Sequence, residues 1–450
     1  MLAADSFPAR DYHGMTRRMF LQAGAALPLA GTLAQTSPAA APRKANSVLL
    51  LWLFGGPSHL DLFDPKPNAP IEYRGPFGTI STRIPGVHFT ELLPKLAARS
   101  DRFSLVRTNT SFTGSHRPAG SIGLTGSVAT DGGEDAKGSP SGYPPNFGSI
   151  LARHREVGDL PGFISVGQNH PGDGNGVSLG YGGGKWGMRY DPFLVRCSKS
   201  SQVSLPALEL LEGITPARLT GRRSLLNELD NDQRRIVRSE YKKWHDLRKQ
   251  AYALLNSADT IKAFDLSGES EKTRAAYGQT TFGQSCLLGR RLVEVGVPYV
   301  QVNWSQYAEV LYTISDYGWD THADNFELLM DFHGPLLDRT LSALLDDLEQ
   351  RELLDTTLVV CMGEFGRTPK INEIGSRDHW HKCYFSIWAG GGVQPGRVIG
   401  ESDPRGEFPL VDPVTPAMVG TTILELAGMN VPARSALQVL EGARLIDGLL

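Results

Sequence analysis

The chain has no pair of cysteines at Cys-x-x-Cys spacing; its four, Cys197, Cys286, Cys361 and Cys383, are scattered through 450 residues. That spacing points to neither a thiolate metal site nor a disulfide framework. Cys361 lies in an apolar stretch and reads as a small core residue. Excess charge of one sign is also missing, since a formal net charge of -3 gives no electrostatic footprint for nucleic acid. After the first 43 residues no apolar run approaches the roughly 18 residues that a membrane-spanning helix requires. What the chain has in quantity is glycine, 50, and proline, 29, counts that suit a loop-rich α/β scaffold. With 450 residues, 40% of them hydrophobic, it can bury a sizeable core as one large domain or two ordinary ones.

The first residues read as an address. Thr16-Arg17-Arg18-Met19-Phe20-Leu21-Gln22 is a twin-arginine pattern, followed by a weakly apolar run over 23–34. This is the form of a bacterial export signal. Residues 35–43, rich in Ala, Pro and Ser, read as a cleavage region and linker. The expectation is a signal and linker over 1–43 and a mature domain over 44–450 that acts in the periplasm or outside the cell.

Within the mature part, 47–54 is a continuous apolar run, the mark of a central strand covered on both faces. Further strands are expected at 103–107, 162–166, 298–302, 358–362 and 384–388, and helices at 91–98, 147–155, 282–294, 326–349 and 416–427. Strands alternating with helices predict a doubly wound, mostly parallel α/β sheet with helices on both faces. The stretch 205–276 differs: it is highly charged and helical in pattern. Leu225, Leu226, Leu229 and Ile236 form an apolar stripe, and the basic pairs Arg222-Arg223, Arg234-Arg235 and Lys242-Lys243 form a solvated face. It reads as a helical insertion or cap.

Two blocks carry the chemistry. Gly318-Trp319-Asp320-Thr321-His322 follows one expected strand, and Gly363-Glu364-Phe365-Gly366-Arg367-Thr368-Pro369, running on to Arg377-Asp378-His379-Trp380, follows another. Each pairs a carboxylate with an imidazole, the donor set for zinc or another divalent transition metal. If both strands lie in one sheet, their loops converge at its carboxyl edge. Asp320 and His322, two apart in an extended loop, project to one side and can grip one ion. The alternative is an Asp capping a helix near Asn325 and a His bonded to backbone. Glu364 is either a bridging carboxylate or the partner of Arg367 in a buried ion pair.

These blocks, with Gly55-Gly56-Pro57-Ser58-His59-Leu60-Asp61, Phe63-Asp64-Pro65-Lys66-Pro67, Gly180-Tyr181-Gly182-Gly183-Gly184 and Tyr190-Asp191-Pro192-Phe193, resemble the bacterial family called domain of unknown function 1501. That family is similar to the alkaline phosphatase and sulfatase superfamily. The resemblance implies an alkaline phosphatase-like α/β domain and a two-metal site. The ions would be zinc, with manganese, calcium and magnesium as alternatives. It also implies an anionic ester substrate, such as a sulfated or phosphorylated carbohydrate. Asp378-His379 resembles the Asp-His pair that supplies a metal there, with one of the two binding directly and the other orienting it. Asp61 is the choice for the first acidic ligand, with His59 and Asp64 as rivals, because Phe54-Gly55-Gly56 stands where the superfamily places an Asp.

The attacking group departs from the pattern. Counting back from Thr125-Gly126 places His116, not Cys or Ser, at the sulfatase nucleophile position. A formylglycine sulfatase is therefore disfavoured. Three options stay open: Ser115 or Thr113 attacks, a hydroxide activated by metal attacks, or His116 is a ligand or proton shuttle. A helix beginning after Pro118 would present its amides to an anion, with Arg117 and Arg367 as clamps. The expected function is an exported metal-dependent hydrolase of phosphate or sulfate esters; the alternative is a secreted binding or assembly protein on the same fold.

Overall fold

The computed structural model describes residues 45–128, 142–155, 160–167, 172–173, 176–177, 179–206, 262–304 and 318–450. The twin-arginine segment and most of the 205–276 insertion lie outside them. Among the described residues nine strands form the main sheet: β1 Ser47–Leu53, β2 Ser104–Asn109, β3 Phe163–Val166, β4 Phe193–Cys197, β5 Val203–Ser204, β6 Tyr299–Trp304, β7 Thr357–Met362, β8 Tyr384–Ala389 and β9 Val398–Ile399. Their order is β9-β2-β8-β7-β1-β6-β3-β4-β5. β1 pairs parallel with both β6 and β7, and the parallel run continues through β3 and β4. β9 is parallel to β2. β8 runs antiparallel to β7 and β2, and β5 antiparallel to β4.

All seven residues of β1 are buried, which is why it reads as an unbroken apolar run. Its side chains alternate across the sheet. Leu49, Leu51 and Leu53 join one core cluster, Val48, Leu50 and Trp52 the other. Helices cover both faces. α1 His116–Thr125, α2 Phe147–His154 and α5 Pro416–Leu426 place Leu124, Phe147 and Met418 in the Trp52 cluster. α3 Thr281–Glu294 and α4 Gly334–Gln350 place Phe282 and Leu337 in the Leu51 cluster. The doubly wound reading therefore holds.

Two helices depart from expectation. The helix expected at 91–98 is confined to Pro94–Ala97, because the preceding residues belong to a small ladder in which His88–Thr90 pairs with Thr79–Ser81. The helix expected at 326–349 is broken into Asn325–Leu328, a π-helical turn Leu329–His333, and α4. Pro335, in the first turn of α4, has no N–H to continue the i→i−4 ladder, and the wider turn accommodates the gap. Among the described residues no helix is long and apolar enough to cross a membrane. The parallel trio β7-β1-β6 matters most for function, since the ends of all three strands reach the same edge of the sheet.

Candidate metal centre

The centre is built on a backbone crossing just past β1. Gly55 has φ +120°, and a Cβ there would collide with the nitrogen of Asp320 and the carbonyl carbon of Trp319. The Trp319 amide donates to the Phe54 carbonyl at 3.0 Å. Arg367, fully buried, donates to the carbonyls of Gly55, Gly56 and Trp319 and to Asp320 Oδ1 at 2.7 Å. The glycine that stands where an Asp was expected thus makes room for the backbone of another, Asp320.

Three histidines surround that carboxylate. His116 opens α1, and its Nε2 lies 3.0 Å from Asp320 Oδ2. His379 Nε2 lies 3.0 Å from Asp320 Oδ1, and His322 Nε2 lies 3.1 Å from the same oxygen. The short antiparallel pairing of Gly366–Arg367 with His379–Trp380 sets His379 opposite Arg367. Ser376 donates to the Thr321 carbonyl at 3.1 Å and ties the two blocks together. Phe54 and Phe365 flank the His116 ring at centroid distances of 5.2 and 4.9 Å.

Each imidazole is held from behind. His379 Nδ1 donates to the Gly114 carbonyl at 2.7 Å, an acceptor only, so its proton sits on Nδ1. His116 Nδ1 faces Glu364 Oε1 at 2.7 Å, and His322 Nδ1 faces Asp378 Oδ1 at 2.9 Å. With His116 and His322 held at Nδ1 by carboxylates, all three Nε2 atoms converge on Asp320. This is the outer arrangement that orients metal-binding histidines.

Charge follows the geometry. Burial works against ionising Asp320, but His116, His322, His379 and Arg367 outweigh it and hold the carboxyl far below the usual range. Burial also opposes charge on His116, yet Asp320 and Glu364 raise it to about 9. Burial lowers His379 to about 4 against the pull of Asp320, with help from His116 and Arg367. The hydrogen bond to Asp320 raises His322 despite partial burial. Without a cation, the charge of Asp320 is offset by protonated His116 and by Arg367.

A divalent ion fits this set. His116, Asp320 and His379 offer atoms within 4.8 Å of one another, the one group of this kind among the described residues. His322 Nε2 adds a fourth donor, 2.8 Å from His379 Nε2. Donor separations near 3 Å suit ligands that share one ion at bond lengths of about 2.0–2.2 Å. His116 Nε2 is buried and has no aligned hydrogen-bond partner despite its 3.0 Å approach to Asp320. Buried polar nitrogens are rarely left so.

Other expected residues take different places. Asp61 is occupied elsewhere: both of its oxygens accept from Arg377, at 2.7 and 3.0 Å, in a fully buried pair. His59 Nε2 is bonded to the Gly406 carbonyl, and Asp64 is paired with Lys66 and Arg107. Glu364 does not pair with Arg367 among the described residues; its Oε1 accepts from the Gly55 amide and faces His116 Nδ1. Asp378 is half exposed and orients His322. Arg367, expected as an anion clamp, has every nitrogen engaged by backbone carbonyls or Asp320. Ser115 precedes α1, which begins at His116 and not after Pro118. The backbone contributions of Gly55 and Gly114 were not foreseen. A glycine pair directly after a buried strand was the available signal for the first.

Solved structures show low similarity. Ps i-CgsB in complex with k-i-k-neocarrahexaose aligns with a TM-score of 0.40 and 13% identity, over 89% of this chain and 75% of that one. Phosphonate monoester hydrolase SpPMH from Silicibacter pomeroyi gives 0.38 and 12%, over 90% and 77%. Alkaline phosphatase from the Antarctic bacterium TAB5 gives 0.36 and 12%, over 86% and 100%. No curated protein matches. The family model described as protein of unknown function (DUF1501) matches residues 45–437, and the chain belongs to that family.

Proposed function

We propose that this chain is an exported metal-dependent hydrolase of phosphate or sulfate esters. The observation that carries the reading is the convergence of three imidazole Nε2 atoms on Asp320, each with its Nδ1 held from behind. His116, Asp320 and His379 would hold the ion from the buried side, and His322, 42% exposed, would reach it from the rim. The donor set suits one zinc ion, or manganese where more open positions are required. This reading centres on one ion, since Asp61 is engaged by Arg377.

When bound, the ion would polarise an ester oxygen and activate a water at neutral pH. The protein's own groups prepare that chemistry. Arg367 fixes the direction of Asp320 and offsets its charge. Glu364, Asp378 and the Gly114 carbonyl keep a proton on each Nδ1, so that each Nε2 faces inward. Phe54 and Phe365 exclude water from the His116 side. His116 at the counted nucleophile position is a ligand on this reading and does not attack the ester. The ester class rests on the resemblance of the motif set, and export rests on the Thr16 to Gln22 pattern.

Elemental analysis of the purified chain, followed by aryl phosphate and aryl sulfate assays before and after chelation, tests the proposal. Bound metal with chelator-sensitive turnover is the expected result. Metal without turnover on either class would turn the assignment toward a binding protein, and absence of metal would overturn the centre itself.

A further inference from the structure

We infer that His333 is a positioning residue for the metal centre: the π-helical turn that carries it lays its ring on Trp319, and the seating of Trp319 sets the direction of Asp320. This role rests on the metal-centre reading and concerns what fixes the central carboxylate besides the groups that touch it.

The helical period gives the turn its consequence. The buried residues Asn325, Leu329, His333, Leu337, Leu341 and Leu345 recur every four positions. In a regular α-helix of 3.6 residues per turn each such step drifts by about 40°, and over several turns that drift carries the later positions off the core. A wider turn at Leu329–His333 absorbs part of it. His333 is thereby kept on the buried face shared by Leu329 and Leu337. Single π-helical turns inside helices occur frequently at functional sites.

That face meets the residue before Asp320. The His333 and Trp319 rings lie 4.8 Å apart and 27° from parallel, while Trp304 closes the group at 5.3 Å from His333 and 4.8 Å from Trp319. All three rings are buried. The main chain of Trp319 is gripped separately: its amide donates to the Phe54 carbonyl, its carbonyl accepts from Arg367, and its atoms crowd Gly55. With both ring and backbone held, the peptide leading into Asp320 has little room to tilt. Asp320 Oδ1, which meets His322, His379 and Arg367, takes its place from that peptide.

What His333 supplies is the flat ring. Its Nδ1 is buried without a hydrogen-bond partner, as are the Nε1 atoms of Trp304 and Trp319, and burial together with the charge of Arg367 lowers His333 to about 3. A neutral ring with an unmatched nitrogen contributes contact, not charge or a hydrogen bond. Paired aromatic faces add to the area they bury, and an aliphatic side chain would fill the space without that face.

Zinc affinity is measured by competition with a chelator in wild type, His333→Leu, His333→Gln and His333→Phe, with melting curves recorded with and without zinc and near-UV circular dichroism as a reporter of the tryptophans. His333→Leu should bind zinc about tenfold more weakly, the scale of an outer support to a ligand. Its tryptophan spectrum should change as well. His333→Phe restores the ring and removes the unmatched nitrogen, so affinity and spectrum should both return close to wild type. A residue that only fills the core would lower melting with and without zinc alike and leave zinc affinity untouched. Equal affinities in wild type and His333→Leu, or an unchanged spectrum in that variant, would therefore overturn the positioning role while the metal centre stands. No recovery in His333→Phe would overturn it too, because the ring face would then not be what matters. If His333→Leu fails to fold, His333→Gln decides, since it also lacks the ring and should show the same loss. A wild type that binds no zinc or other divalent ion would overturn the metal centre and this role with it.

Discussion

The Nε2 atoms of His322 and His379 stand 2.8 Å apart, although each ring is held at Nδ1 by an acceptor. Two lone pairs facing each other over a carboxylate repel unless a cation or an extra proton lies between them. His116→Ala and His379→Ala should therefore each abolish metal retention. His322→Ala, removing the exposed donor, should lower affinity on the scale of about 10–100-fold. Elemental analysis after dialysis, with circular dichroism as a fold control, checks this; full metal content in His379→Ala would remove that residue from the ligand set.

The pH window follows from His116. Imidazole ligands alone predict metal loss below roughly pH 6.5. His116 is held at about 9 in the metal-free cluster, so the ion must displace a proton well above that, and affinity should keep rising toward pH 9. Metal-free stability has the opposite slope. A raised folded-state pKa contributes stability that is complete below pH 6.5 and lost as pH climbs through about 9, on the order of 3 kcal/mol for this group. Melting curves of metal-stripped and metal-loaded protein between pH 6.5 and 9 should diverge; parallel curves would count against a protonated His116.

Asp61 and Arg377 give a structural test of the centre. Removing one partner leaves the other charge buried and alone, so Asp61→Asn should destabilise by about 3–5 kcal/mol. Replacing both, as Asp61→Leu with Arg377→Met, should recover much of that loss and keep the metal. A folded double variant that has lost its metal would place Asp61 in the ligand set after all. Chemical denaturation with metal analysis reads both quantities.

Gly55→Ala tests the backbone crossing. A methyl group there meets the Trp319–Asp320 peptide, and φ +120° is unfavourable for any side chain. The variant should lose metal and melt several degrees lower. A Gly55→Ala protein with wild-type metal affinity would show that Asp320 is not positioned by this contact.

Glu364→Gln keeps the shape and an acceptor oxygen but removes the charge behind His116. Metal affinity should fall by about tenfold with little change in melting temperature. Unchanged affinity would reduce Glu364 to a partner of the Gly55 amide.

Much of this protein was legible in local sequence. An apolar run such as 47–54 can only be a strand buried on both faces, and the strand-helix alternation left little besides a doubly wound sheet. Asp320, His322, Asp378 and His379 announced themselves because carboxylates and imidazoles clustered after buried strands have few bland uses. The roles within the cluster were not legible, since a carboxylate looks the same in sequence whether it binds a metal, holds a histidine or neutralises an arginine. Asp61 went to Arg377, 316 positions away in the chain, and Glu364 to His116, 248 away. Only the sheet order, which sets β6 and β7 on either side of β1, decided which charges met. Burial then made each meeting obligatory, because a charge removed from water must find a partner within a few ångströms.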